Sequence, residues 1–153
     1  GVNIEPSTYK ALMNHENIIA IKEANGNISK IVETMSYVHE NLDIYSGNDD
    51  QIVPIMSLGG KGVISVVSNL LPKETVQMCK YALEGNYGAA AKMQYNLHAL
   101  IDSLFCEVNP IPVKAAMAKM GYGTDTLRLP LTSMTEANRE KMFKLMREQG
   151  INI

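Results

Sequence analysis

No stretch of this sequence approaches the roughly 18 consecutive apolar residues that mark a membrane-spanning helix. No segment has the charged start, apolar middle and small-residue cleavage site of a signal peptide. Charge of one sign is not in excess either. Fourteen lysines and arginines stand against 16 aspartates and glutamates, a net of -2, and the two signs are interspersed. Long-range attraction to nucleic acid or to an anionic membrane is therefore excluded as an organising property. Cysteine is scarce: Cys79 and Cys106 are the only two, each in an apolar helical context, which predicts reduced thiols and a cytoplasmic protein. His15, His39 and His98 fall on separate helices without metal-ligand spacing. The chain opens Gly1-Val2-Asn3 with no initiator methionine, which predicts a processed or truncated polypeptide.

What is present is enough for a core, since the 153 residues are 46% hydrophobic. Three strand-then-helix units follow one another at even spacing. Strands are predicted over Ile18–Ala24, Leu42–Ser46 and Gly62–Val67, and helices over Ile28–Glu40, Asp49–Leu58 and Lys73–Glu84. The strand runs are dense in isoleucine and valine rather than alternating with polar residues, the pattern of parallel strands covered on both faces. A helix over Pro6–Asn14 precedes them. Beyond residue 85 the strands stop, and helices are predicted over Tyr87–Phe105, Ile111–Met120 and Glu136–Gln149. Ser133 and Glu136 stand at capping-box spacing, and Gly121 and Gly150 follow their helices as terminators. The expected organisation is an α/β segment over residues 1–85 and a helical region over 86–153. Three parallel strands alone would leave two apolar edges, which a (β/α)8 barrel removes by closure, but such a barrel needs about 250 residues. The pattern fits the second half of such a barrel with a three-helix C-terminal extension.

In a parallel α/β fold the reactive residues gather at the C-terminal ends of the strands. Those ends here read Lys22-Glu23-Ala24-Asn25-Gly26, Ser46-Gly47-Asn48-Asp49-Asp50 and Ser65-Val66-Val67-Ser68-Asn69. Lys22 stands out. A lysine aligned with the small residues of a buried strand would be desolvated, and desolvation lowers an amine's pKa and makes it a nucleophile toward carbonyls. The plainer alternative is that Lys22 tops an edge strand and points into water. One amine among glycines and small hydrogen-bonding groups suits a small carbonyl-bearing anion better than a nucleotide or a metal.

Other features have structural readings. Asp49 and Asp50 suit a helix start. Gly59-Gly60-Lys61-Gly62 fails the Walker pattern, because glycine follows the lysine and the segment leads into a strand, so it reads as a tight helix-to-strand turn. His39 suits a helix end. The 10 methionines, among them Met78, Met93, Met117, Met120, Met134, Met142 and Met146, read as adaptable packing. Tyr37, Tyr81, Tyr87 and Tyr95 read as packing residues, which leaves Tyr45 as the tyrosine near a strand tip.

Several segments then carry a specific resemblance. Ile18-Ile19-Ala20-Ile21-Lys22-Glu23-Ala24-Asn25-Gly26-Asn27, Tyr45-Ser46-Gly47-Asn48-Asp49-Asp50 and Gly59-Gly60-Lys61-Gly62-Val63-Ile64-Ser65-Val66 resemble dihydrodipicolinate synthase in order and spacing. So do Asn109-Pro110-Ile111-Pro112-Val113-Lys114 and Asp125-Thr126-Leu127-Arg128-Leu129-Pro130. The resemblance covers essentially the whole chain. N-acetylneuraminate lyases share the lysine and the fold, but the Lys22-Glu23-Ala24 context is similar to the synthase branch. The resemblance implies a (β/α)8 barrel with a C-terminal helical region, usually a homotetramer, that condenses pyruvate with aspartate semialdehyde in lysine biosynthesis. It implies that Lys22 forms the Schiff base with pyruvate, that Gly47 lines the pyruvate pocket, and that the backbone carbonyl of Ile64 helps hold the lysine. No cofactor beyond the covalent pyruvate–lysine imine is implied. The first half of such a barrel supplies a tyrosine–threonine relay, a threonine loop for the pyruvate carboxylate and an arginine for the second substrate. None of these motifs is present. The expectation is the C-terminal half of such an enzyme, inactive or weakly active alone. The alternatives are a self-associating half-barrel module without catalysis, whose open edges would pair in a homodimer, and another pyruvate-dependent aldolase such as N-acetylneuraminate lyase.

Overall fold

Alternation along three short strands divides their side chains between the two faces of the sheet. The computed structural model describes residues 2–153. In it β1 spans Ala20–Glu23, β2 Asp43–Ser46 and β3 Gly62–Val63. The strands are parallel in the order β1-β2-β3. Lys22 pairs with Tyr45 and Glu23 with Ser46, and on the other side of β2 Tyr45 pairs with Gly62 and Ser46 with Val63. Successive side chains point to opposite faces. Ile21, Glu23, Ile44 and Ser46 are accordingly buried, whereas Lys22 is exposed and Tyr45 half-buried. The density of isoleucine and valine predicted cover on both faces. Within this chain one face is covered, and Ile64 on the other remains 51% exposed.

The covering layer is helical. α1 (Pro6–Leu12) packs on α2 (Ile28–Val38), and α3 (Ile52–Ser57) packs on α2, β2 and β3. Ile31, Met35 and Val38 lie at i, i+4 and i+7 of α2 and join Tyr9, Ile21, Leu42, Ile44 and Ile55 in one apolar cluster. Fully burying each such aliphatic side chain contributes about 1.5–3 kcal/mol. α2 starts where Asn27 accepts the Lys30 N–H in its side chain, so capping and amphipathic spacing agree on this element.

Two elements are shorter than their sequence pattern predicts. β3 ends at Val63 rather than Val67, and Val67–Asn69 forms a 3-10 turn. The β-branched residues there favour a strand, but Val66 takes a right-handed helical conformation and Val67 turns to full burial, so packing overrides propensity. The single helix predicted over Asp49–Leu58 is a 3-10 turn, Asp49–Gln51, followed by α3. Asp49 and Asp50 lie in the first turn as expected of carboxylates at a helix start. The Gly59–Gly62 segment is the tight turn predicted, with Gly59 at a φ of 101° and the Gly60 N–H donating to Ile55 O at 3.1 Å. An ideal Cβ on Gly60 would stand 2.8 Å from Ile55 Cγ2, which is why glycine is required there.

By contact, the chain forms two compact units, Gly1–Ser65 with Gln77–Ala91, and Val66–Val76 with Lys92–Ile153. α4 (Pro72–Leu83) and α5 (Tyr87–Leu104) each run from one into the other. The second unit adds α6 (Ile111–Lys119) and α7 (Glu136–Glu148), which pack together. The observed class is thus the α/β one expected: three parallel strands with helices, then three further helices. Met134, Met142 and Met146 are buried, as is Met78 in α4. Tyr95, by contrast, is 74% exposed and does not pack. Cys79 and Cys106 are free thiols, and Cys106 lies exposed beyond the end of α5 rather than within a helix.

The start of α7 corrects another expectation. Its N-cap is Thr135, not Ser133, and the Thr135 side chain makes no bond to its own helix. Instead Glu107, in the α5–α6 connection, accepts the Thr135 N–H (3.1 Å), the Thr135 hydroxyl (2.6 Å) and the Asn138 amide (2.8 Å). A capping box is a local pattern, and here a residue remote in sequence takes its place. The hydrogen bonds from Thr135 and Asn138 hold the Glu107 carboxyl below its ordinary value of 4.5. A depressed carboxylate contributes stability that is fully present above the unfolded value and is lost as pH falls through the folded one. The melting temperature of wild type should therefore exceed that of Glu107→Ala at neutral pH, with the gap closing as pH falls below 4.5. A gap that stays constant down to that range would refute the role given to this carboxylate.

Candidate active site

The strand tips bring two of the three candidate residues together. Lys22 lies one residue from the end of β1 and points to the uncovered face. Gly47 directly follows β2, and its N–H donates to Glu23 O at 2.7 Å, which extends the β1–β2 ladder past the strand ends. An ideal Cβ on Gly47 would stand 2.6 Å from Ala24 Cβ, 3.1 Å from Lys22 Cε and 3.2 Å from Glu23 O. Any larger residue would therefore collide with the strand tip and with the lysine stem. Glycine at this position is a matter of space for Lys22.

Ile64 follows β3, and its N–H donates to Ser46 O at 2.8 Å. It is held against the β2 tip, but its carbonyl makes no hydrogen bond to Lys22. Among the described residues the Lys22 ammonium has no hydrogen-bond or ion-pair partner. Lys22 is exposed here because β1 is an edge strand and the lysine lies on the face this chain leaves open. A cleft of about 430 Å³ beside it is lined by Val2, Ile4, Tyr9, Lys22, Glu23 and Asn25, among others.

Three further residues organise the tips, and sequence reasoning did not single them out. Glu23 is 5% exposed on the covered face, and its Oε1 accepts the Asn25 N–H at 2.9 Å. Tyr9 of α1 lies against it. Burial, and then the Glu23 carboxylate as neighbouring charge and acceptor, push the Tyr9 phenol above its ordinary value. Gln51 reaches back from the β2 side, with Nε2 donating to Gly26 O at 2.8 Å. A glutamate two residues after a buried isoleucine, in strand alternation, was the available signal for Glu23. Nothing in the sequence signals that Tyr9 meets it.

The remaining polar features are structural. Tyr87 donates its hydroxyl to Met56 O at 3.2 Å, while His39 caps α2 with Nδ1 2.9 Å from Met35 O. Among the described residues no group of three histidine, cysteine, aspartate or glutamate side chains could hold a metal ion. No helix of the described chain is long and apolar enough to cross a membrane.

Lys22 at one strand tip and Gly47 at the next are thus close neighbours in a parallel sheet. The sequence profile of the dihydrodipicolinate synthetase family matches residues 1–149. The chain belongs to the dihydrodipicolinate synthetase family. It is 52% identical over 151 residues to the 4-hydroxy-tetrahydrodipicolinate synthase of Alkaliphilus oremlandii, covering 99% of this chain and 52% of that protein. Identity to the enzyme of that name from Methanococcus vannielii is 46% over 152 residues, 99% of this chain and 52% of that protein. Among solved structures, the dihydrodipicolinate synthase of Thermotoga maritima superposes with a TM-score of 0.95 at 38% identity, covering 99% of this chain and 53% of that one. The chain thus spans about half the length of the relatives it matches.

Proposed function

We propose that this chain carries the Schiff-base lysine of a dihydrodipicolinate synthase and forms the C-terminal half of its barrel. The reaction is condensation of pyruvate with aspartate semialdehyde in the lysine branch of amino-acid biosynthesis, in the cytoplasm. The observation that carries the reading is the placement of Lys22 at the β1 tip with its stem against Gly47, in a chain of this family.

The chemistry follows from an amine in that position. Neutral Lys22 attacks the ketone of pyruvate, water leaves, and the imine nitrogen keeps a proton taken up from solvent, so that the substrate becomes an iminium whose methyl group is acidified. Loss of a methyl proton gives an enamine, and its carbon attacks the aldehyde of the second substrate. Gly47 leaves the space that the lysine stem and pyruvate occupy. Ile64, whose N–H is anchored to Ser46 O of β2, would turn its carbonyl to the amine in the closed barrel. No cofactor is required, because the electron sink is the imine itself. An amine attacks a carbonyl in its neutral form, which desolvation favours, so efficient turnover belongs to the barrel in which the open face is covered. The exposed Ile64 on that face suits such cover, and it supports self-association of the chain where the rest of the barrel is absent.

Borohydride reduction of the full-length protein with pyruvate should leave a three-carbon adduct that peptide mapping places on Lys22. An adduct elsewhere, or none, would overturn the assignment.

A further inference from the structure

A carboxylate on the apolar face of a four-residue strand needs a reason. Glu23 occupies the position, two residues after Ile21, where strand alternation calls for another aliphatic side chain. It is 5% exposed, and burying a charge is costly unless hydrogen bonds replace its water. The replacement is specific. Glu23 Oε1 accepts the Asn25 N–H at 2.9 Å, Asn25 Oδ1 accepts the Asn27 N–H at 2.7 Å, and Asn27 Oδ1 accepts the Lys30 N–H that opens α2. The main-chain carbonyl of Glu23 meanwhile accepts the Gly47 N–H at 2.7 Å. Glu23 thus binds the β1–α2 turn through its side chain and the β2 tip through its backbone, with Tyr9 closing the remaining side from α1.

Lys22 immediately precedes this junction. Its stem passes so close to Gly47 that a methyl group there would stand 3.1 Å from Lys22 Cε, so small movements of the β1 tip move the amine. A strand end held only by its ladder would fray, because local opening is cheapest at element ends.

We propose that Glu23 is the positioning residue for Lys22, its carboxylate holding the β1–α2 turn from the covered face so that the lysine is presented over Gly47. The role depends on reach and acceptor geometry rather than on charge, because the groups it meets, the Asn25 N–H and the Tyr9 phenol, are neutral donors. The inference rests on the Schiff-base role of Lys22.

The test compares Glu23→Gln, Glu23→Asp and Glu23→Ala in the full-length protein. Borohydride trapping at saturating pyruvate counts the Lys22 sites able to react, and turnover is then expressed per trapped site. Glutamine keeps the length and the acceptor, and should stay within about threefold of wild type. Aspartate keeps the charge but withdraws the acceptor from Asn25. Both it and alanine should lower kcat per site by about tenfold to a hundredfold, the scale of a misplacement near 1 Å, with a smaller change in KM for pyruvate. If alanine does not fold, the glutamine–aspartate contrast decides. Turnover per site unchanged in aspartate overturns the proposal, and so does a loss confined to glutamine, which would show that charge is what matters. Absence of trapping at Lys22 in the wild type would instead overturn the Schiff-base reading.

Discussion

Lys22→Ala should lower kcat of the full-length protein by about 10³-fold or more, the scale on which removal of an attacking nucleophile acts, while its fold and melting temperature stay close to wild type. The two halves of that expectation have different origins. The ε-amine is the group that makes the imine, and no other lysine lies at a strand tip of this sheet. The side chain is exposed and without polar partners among the described residues, so its removal leaves no buried group unsatisfied and no cavity in the apolar cluster. Steady-state rates with pyruvate and aspartate semialdehyde, together with a thermal melt, check both. A variant that retains more than about a tenth of wild-type kcat would remove Lys22 from the mechanism, since imine formation cannot proceed without an amine.

Gly47→Ala should damage both stability and chemistry. The added Cβ would fall 2.6 Å from Ala24 Cβ and 3.2 Å from Glu23 O. Neither neighbour is a flexible side-chain end that could swing away. The β1 and β2 tips must separate, which strains the Gly47 N–H bond to Glu23 O. Overpacking of this kind costs about 1–3 kcal/mol, and for a chain of this size each kcal/mol lowers the melting temperature by about 2–4 °C. The same atom presses on Lys22 Cε at 3.1 Å, so the rate of pyruvate trapping should fall by about tenfold or more. Trapping at the wild-type rate in Gly47→Ala would show that the lysine does not depend on this space.

Much of the fold was legible along the chain because its causes are local. α2 is written in the Asn27 cap and the spacing of Ile31, Met35 and Val38, and α4 in Pro72 at its first turn. The Gly59–Gly62 turn is written in its glycines. Where the reading and the structure part, a contact remote in sequence decides. Val67 leaves the strand pattern to be buried, and Glu107 replaces the local capping box at α7 through Thr135 and Asn138, 28 and 31 residues away. Tyr95 sits on a helix with apolar spacing but faces solvent, since spacing alone does not say which helix face has a neighbour.

The candidate site divides in the same way. Residue order alone placed Lys22 and Gly47 at strand ends, because parallel βα units put those ends on one side of the sheet, and the family motifs added Ile64 and attached chemistry to all three. Spacing could not show that Lys22 stands on the open face while Glu23 is buried behind it against Tyr9. Nor could it show that Gly47 is required by the lysine's own stem. Strand alternation has two possible phases, and both are compatible with Ile21-Lys22-Glu23. Only the packing of α1 and α2 against one face selects between them, because burial is a property of neighbours rather than of the residue itself.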